Sequence, residues 1–308
     1  MRLRGSEAAI AAAVVIEGAA LSFLSPHFLT AENLLNVSLQ ASITAIVAAG
    51  MTFVILTGGI DLSVGSVVAV AGIATTAALA GGHAYATAIA AGLGIGLVSG
   101  VVAGALVTRL GVAPFIVTLA LMTIERGLAF VATEGRPVWD LPPGFAGLGG
   151  GRLAGVPFPS IVMVLVFVVA HAALKHTRWG RHVYAVGGNA EAARLAGIGT
   201  ARVVASTYVL CGGLAALGGV LLASRMNSGQ PNAGLMLELD VIAAVVVGGT
   251  SLSGGRGSVA GTFLGTMLIA ILRNGLNLLN VNSYVQQVVV GAVILLAVLL
   301  DRLRERRT

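Results

Sequence analysis

The chain has 308 residues, 57% of them hydrophobic and only 10% charged, with a mean hydropathy of +0.97. Soluble domains carry about 25% charged residues, so a soluble globular chain is excluded. The formal net charge is +6, but the basic residues fall at the ends of apolar runs and not on one face, which excludes a nucleic-acid surface.

Ten apolar segments follow one another, at roughly 8–25, 38–57, 62–81, 84–107, 114–132, 157–174, 203–223, 237–250, 258–273 and 284–300. Most are long enough to cross a bilayer as helices. They predict an all-α, polytopic membrane protein of about ten transmembrane helices, a single domain over 1–308. The 43 glycines suit close packing of membrane helices. The one cysteine, Cys211, lies in an apolar run and allows no internal disulfide.

Arg2 and Arg4 precede the first segment, and no small-x-small cleavage site follows it, so it is read as a span and not as a signal peptide. Glu17 in its middle has to be neutral or partnered. Between the second and third segments stands Thr57-Gly58-Gly59-Ile60-Asp61-Leu62-Ser63-Val64-Gly65-Ser66. Its paired glycines loosen the helix, and Asp61, Ser63 and Ser66 can cap the next one. Broken helices of this kind are where transporters place polar groups at membrane depth; a tight turn with a capping Asp reads equally well. Glu125 and Arg126 lie within the fifth segment, where charges face a bundle interior or a water-filled path; a fixed ion pair with another helix is the structural alternative for Arg126. The loop at 133–156, with Pro137, Trp139, Pro142 and Pro143, is a connector or a surface for an external partner.

The stretch 175–202 is the longest basic, hydrophilic segment between two apolar runs. It contains a short helix with both ends written in sequence. Asn189 caps it, Ala190 to Ala196 are strong helix formers, Glu191 and Arg194 match the helix dipole, and Gly197 stops it. Two turns of helix are marginal alone in water, so it should dock into something; Leu195 and Ile198 are available for that. The eighth segment, 237–250, is short and flanked by Glu238 and Asp240. The stretch Val247 to Ser258 echoes 57–66, since both read Gly-Gly-x-x-Leu-Ser. An inverted repeat would put the two loops on opposite faces, whereas ten spans put them on the same one. It is no phosphate loop, because the Walker lysine position is Gly255. Asn274, Asn277 and Asn280 recur every three residues, roughly on one helical face, and can hydrogen-bond hydroxyl groups or solvate a helix end. No metal spacing and no hydrolase elbow occurs, so no catalytic or metal residue is assigned.

With ten spans, one face carries Arg2, Arg4, Arg109, Lys175, Arg178, Arg181, Arg194, Arg202, Arg256, Arg302, Arg304, Arg306 and Arg307. The other carries Arg136, Arg152, Arg225 and Arg273. The richer face is the cytoplasmic one by the positive-inside rule, and it holds both termini.

Several long motifs then occur in order. They are Gly50-Met51-Thr52 onward through Gly58 to Ser66, Thr177-Arg178-Trp179-Gly180-Arg181, Tyr184 to Asn189, Ala193 to Ile198, Leu239 to Leu252, and Asn274-Gly275-Leu276-Asn277-Leu278-Leu279. Together they resemble the ribose-type permeases of ABC sugar importers (carbohydrate uptake, second class) over nearly the whole chain. The resemblance implies a permease in the bacterial inner membrane that pairs with a second copy or paralogue and translocates a sugar by alternating access. It implies a separate ABC ATP-binding subunit holding ATP and Mg, with no cofactor and no enzymatic activity in this chain, and a periplasmic or lipid-anchored sugar-binding protein outside. Residues 175–202 would be the cytoplasmic coupling loop, with Gly187, Gly188, Asn189, Ala190, Glu191, Arg194, Leu195, Gly197 and Ile198 docking on the ATPase. Asp61, Ser63, Arg126, Asn274 and Asn277 are the path candidates, chosen on polarity and position. Glu17 and Glu125 depart from the family pattern. The alternative is a secondary transporter driven by an ion gradient through Glu17, Asp61 and Glu125.

Overall fold

The computed structural model describes residues 5–305; Arg2, Arg4, Arg306 and Arg307 of the charge asymmetry lie outside them. The elements run α1 (Gly5–Leu24), α2 (Ala31–Leu56), α3 (Val64–Ala80), α4 (Tyr85–Arg109), α5 (Pro114–Thr133), α6 (Ala146–Gly150), β1 (Arg152–Leu153), β2 (Val156–Pro157), α7 (Phe158–His176), α8 (Arg178–Gly188), α9 (Ala190–Leu195), α10 (Thr200–Met226), α11 (Leu237–Val247), α12 (Val259–Leu278) and α13 (Ser283–Glu305). Each of the ten apolar segments contains a helix. Among the described residues seven of these, α1, α2, α4, α5, α7, α10 and α12, are long and apolar enough to cross a membrane. β1 and β2 pair as a two-residue antiparallel ribbon in the 133–156 loop.

The bundle is built around α2. Every residue from Ala41 to Leu56 except Thr44 is buried, as expected of a helix that is apolar all round. Against it packs α10, and against α10 packs α4 through Gly96, Gly100 and Gly104, one per turn, while Gly92 faces α3. A Cβ at Gly100 would stand 2.4 Å from the Tyr208 carbonyl oxygen, so only glycine lets the two backbones approach so closely. The opposite faces of α4, α5 and α7 expose Leu97, Val98, Val101, Phe115, Ile116, Val164, Leu165 and Val168, as suits a lipid-facing perimeter.

The eighth segment holds only the short helix α11, and a non-helical stretch leads into it. Past Met226 the chain leaves helix, and Val138 and Gly229 bridge it to the 133–156 loop. Gly229 sits against Ile73 and Thr76 of α3, and Gly234 against Gly65. The non-helical chain therefore descends beside α3 for about 12–16 Å. The 11 residues of α11 then add about 16 Å. Together they match a hydrocarbon core of about 30 Å, which a helix of that length alone would not.

The two Gly-Gly loops meet at one end of the bundle. The Gly255 amide donates to the Leu56 carbonyl at 2.9 Å, and Gly254, at φ +84°, lies against Gly58. Both loops thus share one face, and their echo is not that of an inverted repeat. The same end carries α8 and α9.

Candidate functional site

The hydrophilic stretch 175–202 is mostly helical. Thr177 starts α8 by accepting from the Gly180 amide at 3.0 Å. Trp179, Val183 and Val186 then recur on one face. Val183 and Val186 are buried. Trp179 stacks on Phe53 of α2 with ring centroids 5.1 Å apart, and its indole N–H donates to Ser206 Oγ of α10 at 2.8 Å. So α8 lies clamped across the ends of α2 and α10.

At the end of α8 the chain makes its closest approach. A Cβ at Gly187 would fall 1.8 Å from the Leu56 carbonyl oxygen and 2.6 Å from the Gly255 amide nitrogen. Tyr184 Oη donates to the Gly257 carbonyl at 2.8 Å. Gly187 therefore sits in a three-way junction of α2, α8 and the 248–258 loop. Neither Tyr184 nor the pair Gly254 and Gly255 was singled out from sequence as part of the coupling element; the repeated glycines of the 248–258 loop, four of which take positive φ, were the available signal.

Beyond that junction α9 projects into solvent. Asn189 Oδ1 accepts from the Ala192 amide at 2.9 Å. Gly197, at φ +81°, closes the helix, with the Ile198 amide donating to the Ala193 carbonyl at 3.0 Å, a Schellman stop. Ala193 is buried and Ile198 packs partly on the same cluster, so these two hold the helix to the bundle. Ala190, Glu191, Arg194 and Leu195 face outward, and Leu195 is 75% exposed. Arg194 donates to both Glu191 carboxylate oxygens, at 3.0 and 2.6 Å, and holds that carboxyl below its usual range. Of the two apolar side chains expected to dock outward, Leu195 is free, whereas Ile198 already packs inward because the stop turns it back on Ala193.

The path candidates do not converge. Asp61 is 2% exposed, and its Oδ1 accepts from the Ser63 amide at 3.0 Å and the Ser63 hydroxyl at 2.6 Å. It closes the turn and does not cap α3. Ser66 donates to the Met122 carbonyl at 2.8 Å. Arg126 pairs with no carboxylate among the described residues. Its guanidinium donates to the carbonyls of Pro231 and Ala233 at 2.7 Å each and of Gly65 at 3.1 Å, holding the non-helical descent against α3 and α5. Ser99 donates to Glu125 Oε1; Glu125 Oε2 and Glu17 Oε2 are buried without a partner. Asn274 exchanges amide hydrogen bonds with Asn33 of α2, while Asn277 is exposed and accepts from Gln286. Asn280 is off the helix: α12 ends at Leu278 and Asn280 turns to φ +56°, so the three amides share no face.

The family described as "Branched-chain amino acid transport system / permease component" matches residues 33–298. The chain is 50% identical over 284 residues to the ribose import permease protein of Bacillus subtilis (strain 168), covering 92% of this chain and 88% of that protein. It is 47% identical over 301 residues to the ribose import permease protein of Escherichia coli (strain K12), covering 95% and 92%. It is 38% identical over 287 residues to the L-arabinose transport system permease protein of the same organism, covering 93% and 88%. No solved structure matches the chain.

Proposed function

The chain belongs to the transport-system permease component family, and on that premise we propose that it carries a pentose across the bacterial inner membrane, driven by a separate ATP-binding subunit that docks on α9. The family description speaks of branched-chain amino acids, but the relatives that align over nearly the whole chain are ribose and arabinose permeases. Those names support a sugar. A periplasmic or lipid-anchored sugar-binding protein delivers it, and a second permease copy or paralogue completes the pore. ATP and Mg belong to the cassette, in keeping with Gly255 at the Walker lysine position. The charge asymmetry supports a cytoplasmic side for α8, α9 and both termini.

The single observation that carries the coupling reading is α9 itself. It is a two-turn helix, capped at both ends, that presents Leu195 to solvent while its base is packed into the bundle. Isolated helices of that length do not persist in water, and an apolar tip held out this way fits a groove in a partner. When the cassette closes, α9 moves as a lever on α8, and the Gly187 junction carries the movement to α2 and the 248–258 loop. The pore then switches which side it opens to, as packed elements with two discrete arrangements do.

The test is co-purification of the detergent-solubilised permease with its cassette, comparing wild type with an Arg194→Glu, Leu195→Asp double variant. Expected is a cassette retained by wild type and lost by the variant, with equal amounts of permease in the membrane. Retention by both would remove α9 from the docking site.

A further inference from the structure

The chain from Gln230 to Met236 is not helical, yet it lies deep in the membrane. Arg126, which holds the Pro231 and Ala233 carbonyls, stands about 18 Å into the roughly 30 Å of α5. On the other side of Met236, α11 adds about 16 Å of helix before the 248–258 loop. Met236 is thus near the bilayer midplane.

This segment is covered on one side only. Gly234 packs against Gly65 of α3, and Arg126 ties the turn to α5. On the open side Leu235 and Met236 are 60% and 63% exposed, and Asn232 is exposed beside them. Among the described residues the amides of Asn232, Gly234, Leu235 and Met236 have no hydrogen-bond acceptor. In hydrocarbon each such amide costs several kcal/mol, so irregular backbone at this depth stands only where protein covers it or water reaches it. The exposed side chains of α4, α5 and α7 differ: they sit on regular helices, whose amides are satisfied within the helix. The open side continues along α11. Leu239 and Asp240 follow Met236 by three and four residues and so share its face. Leu239 is exposed, and Asp240 accepts from Arg273 of α12, with both side chains partly free. Charges inside membrane spans face a bundle interior or a water-filled path, so the ion pair and the free amides agree.

We propose that the turn Asn232–Met236 is a wall of the translocation path at the bilayer midplane, and that Leu235 and Met236 form its apolar constriction. The proposal rests on the sugar-permease reading and names the lining. Water in the path, and the hydroxyls of a passing sugar, supply the acceptors that the free amides lack. The second copy completes the path. Two like chains pair most simply about a twofold axis, which sets a surface patch against itself, so Leu235 and Met236 face their counterparts. Apolar side chains opposed in this way close a pore by dewetting. The constriction is also wired to the docking end. Helix α11 joins it to the 248–258 loop, where Gly255 abuts Gly187 and Gly188; gate and coupling junction lie at the two ends of one short helix.

The test uses the complete importer in proteoliposomes. Cys211 is buried, so introduced cysteines can be read with a hydrophilic, membrane-impermeant thiol reagent. Leu235→Cys is compared with Val98→Cys, an exposed position near the middle of α4. Both variants are expected to keep the cassette on purification, which shows the fold intact. Expected is labelling of Leu235→Cys at least about tenfold faster than Val98→Cys, the ratio that a difference of about 1.4 kcal/mol gives. The double variant Leu235→Ala, Met236→Ala is expected to release preloaded labelled ribose several-fold faster than wild type when ATP is absent. Leu235→Cys as unreactive as Val98→Cys, with and without ATP, overturns the wall. A leak unchanged by the double variant overturns the constriction. The label needs no substrate, so the two readings fail separately: a wild-type importer that takes up neither ribose nor arabinose overturns the sugar-permease reading, while the label still decides whether the turn faces water.

Discussion

At the scale of single residues, Arg126 carries the clearest consequence. Non-helical backbone at membrane depth is tolerated only where its polar groups find partners. Arg126 supplies them to Pro231, Ala233 and Gly65 from one fork. Arg126→Leu leaves three carbonyls without that donor, at about 1–3 kcal/mol each, and the permease is expected to lose about 3 kcal/mol or more. Thermal unfolding in detergent reads this directly. Arg126→Lys recovers only part, because a point charge does not reach three carbonyls as a planar guanidinium does. An Arg126→Leu protein that melts with wild type would remove the fork from the fold. The presence of a charge in the fifth segment was legible in sequence. Its partners were not, because they are backbone carbonyls, which every sequence contains at every position.

At the scale of elements, the junction of α2, α8 and the 248–258 loop divides two adjacent glycines. A Cβ at Gly187 collides with the Leu56 carbonyl, whereas one at Gly188 meets nothing within 4 Å. Gly187→Ala is expected to lift α8 from α2 and uncouple ATP hydrolysis from uptake, with the cassette still bound through α9; Gly188→Ala is expected to behave as wild type. Equal coupling in both variants would count against the junction as the route of movement. The helix α9 was readable residue by residue, since Asn189, Glu191, Arg194 and Gly197 each have a local reason to stand where they do. The helix α8 went unread because its charges hid a spacing of Trp179, Val183 and Val186 that is a plain amphipathic stripe. The descent from Gly229 to Gly234 was illegible for another reason. Turns and glycines announce broken helix, but the depth at which the break lies depends on α3, which is distant in sequence. The Asp240–Arg273 pair was missed likewise: its members are 33 residues apart, on different helices, and each alone read as a charge at a segment end.

At the scale of the whole molecule, two ends have different work. One holds α8, α9 and the paired Gly-Gly loops, and α2 runs from it toward the other. Gly187 at the end of α8 lies against the Leu56 carbonyl of α2, so under the proposed coupling a movement of α9 would be passed to α2 there. On the proposed reading α2, buried from Ala41 to Leu56 apart from Thr44, is the helix that would carry a cassette event at one face toward the other. Seeing that link required the fold; the sequence alone offered the ten spans, the capped helix and the family likeness. The most direct test is uptake of labelled ribose into proteoliposomes holding this permease, with and without the ATP-binding subunit, ATP and the sugar-binding protein. Uptake that needs all three is the expected result. Uptake by the permease alone, following an imposed proton or sodium gradient and indifferent to ATP, would contradict it and return Glu17, Asp61 and Glu125 to the centre of the mechanism.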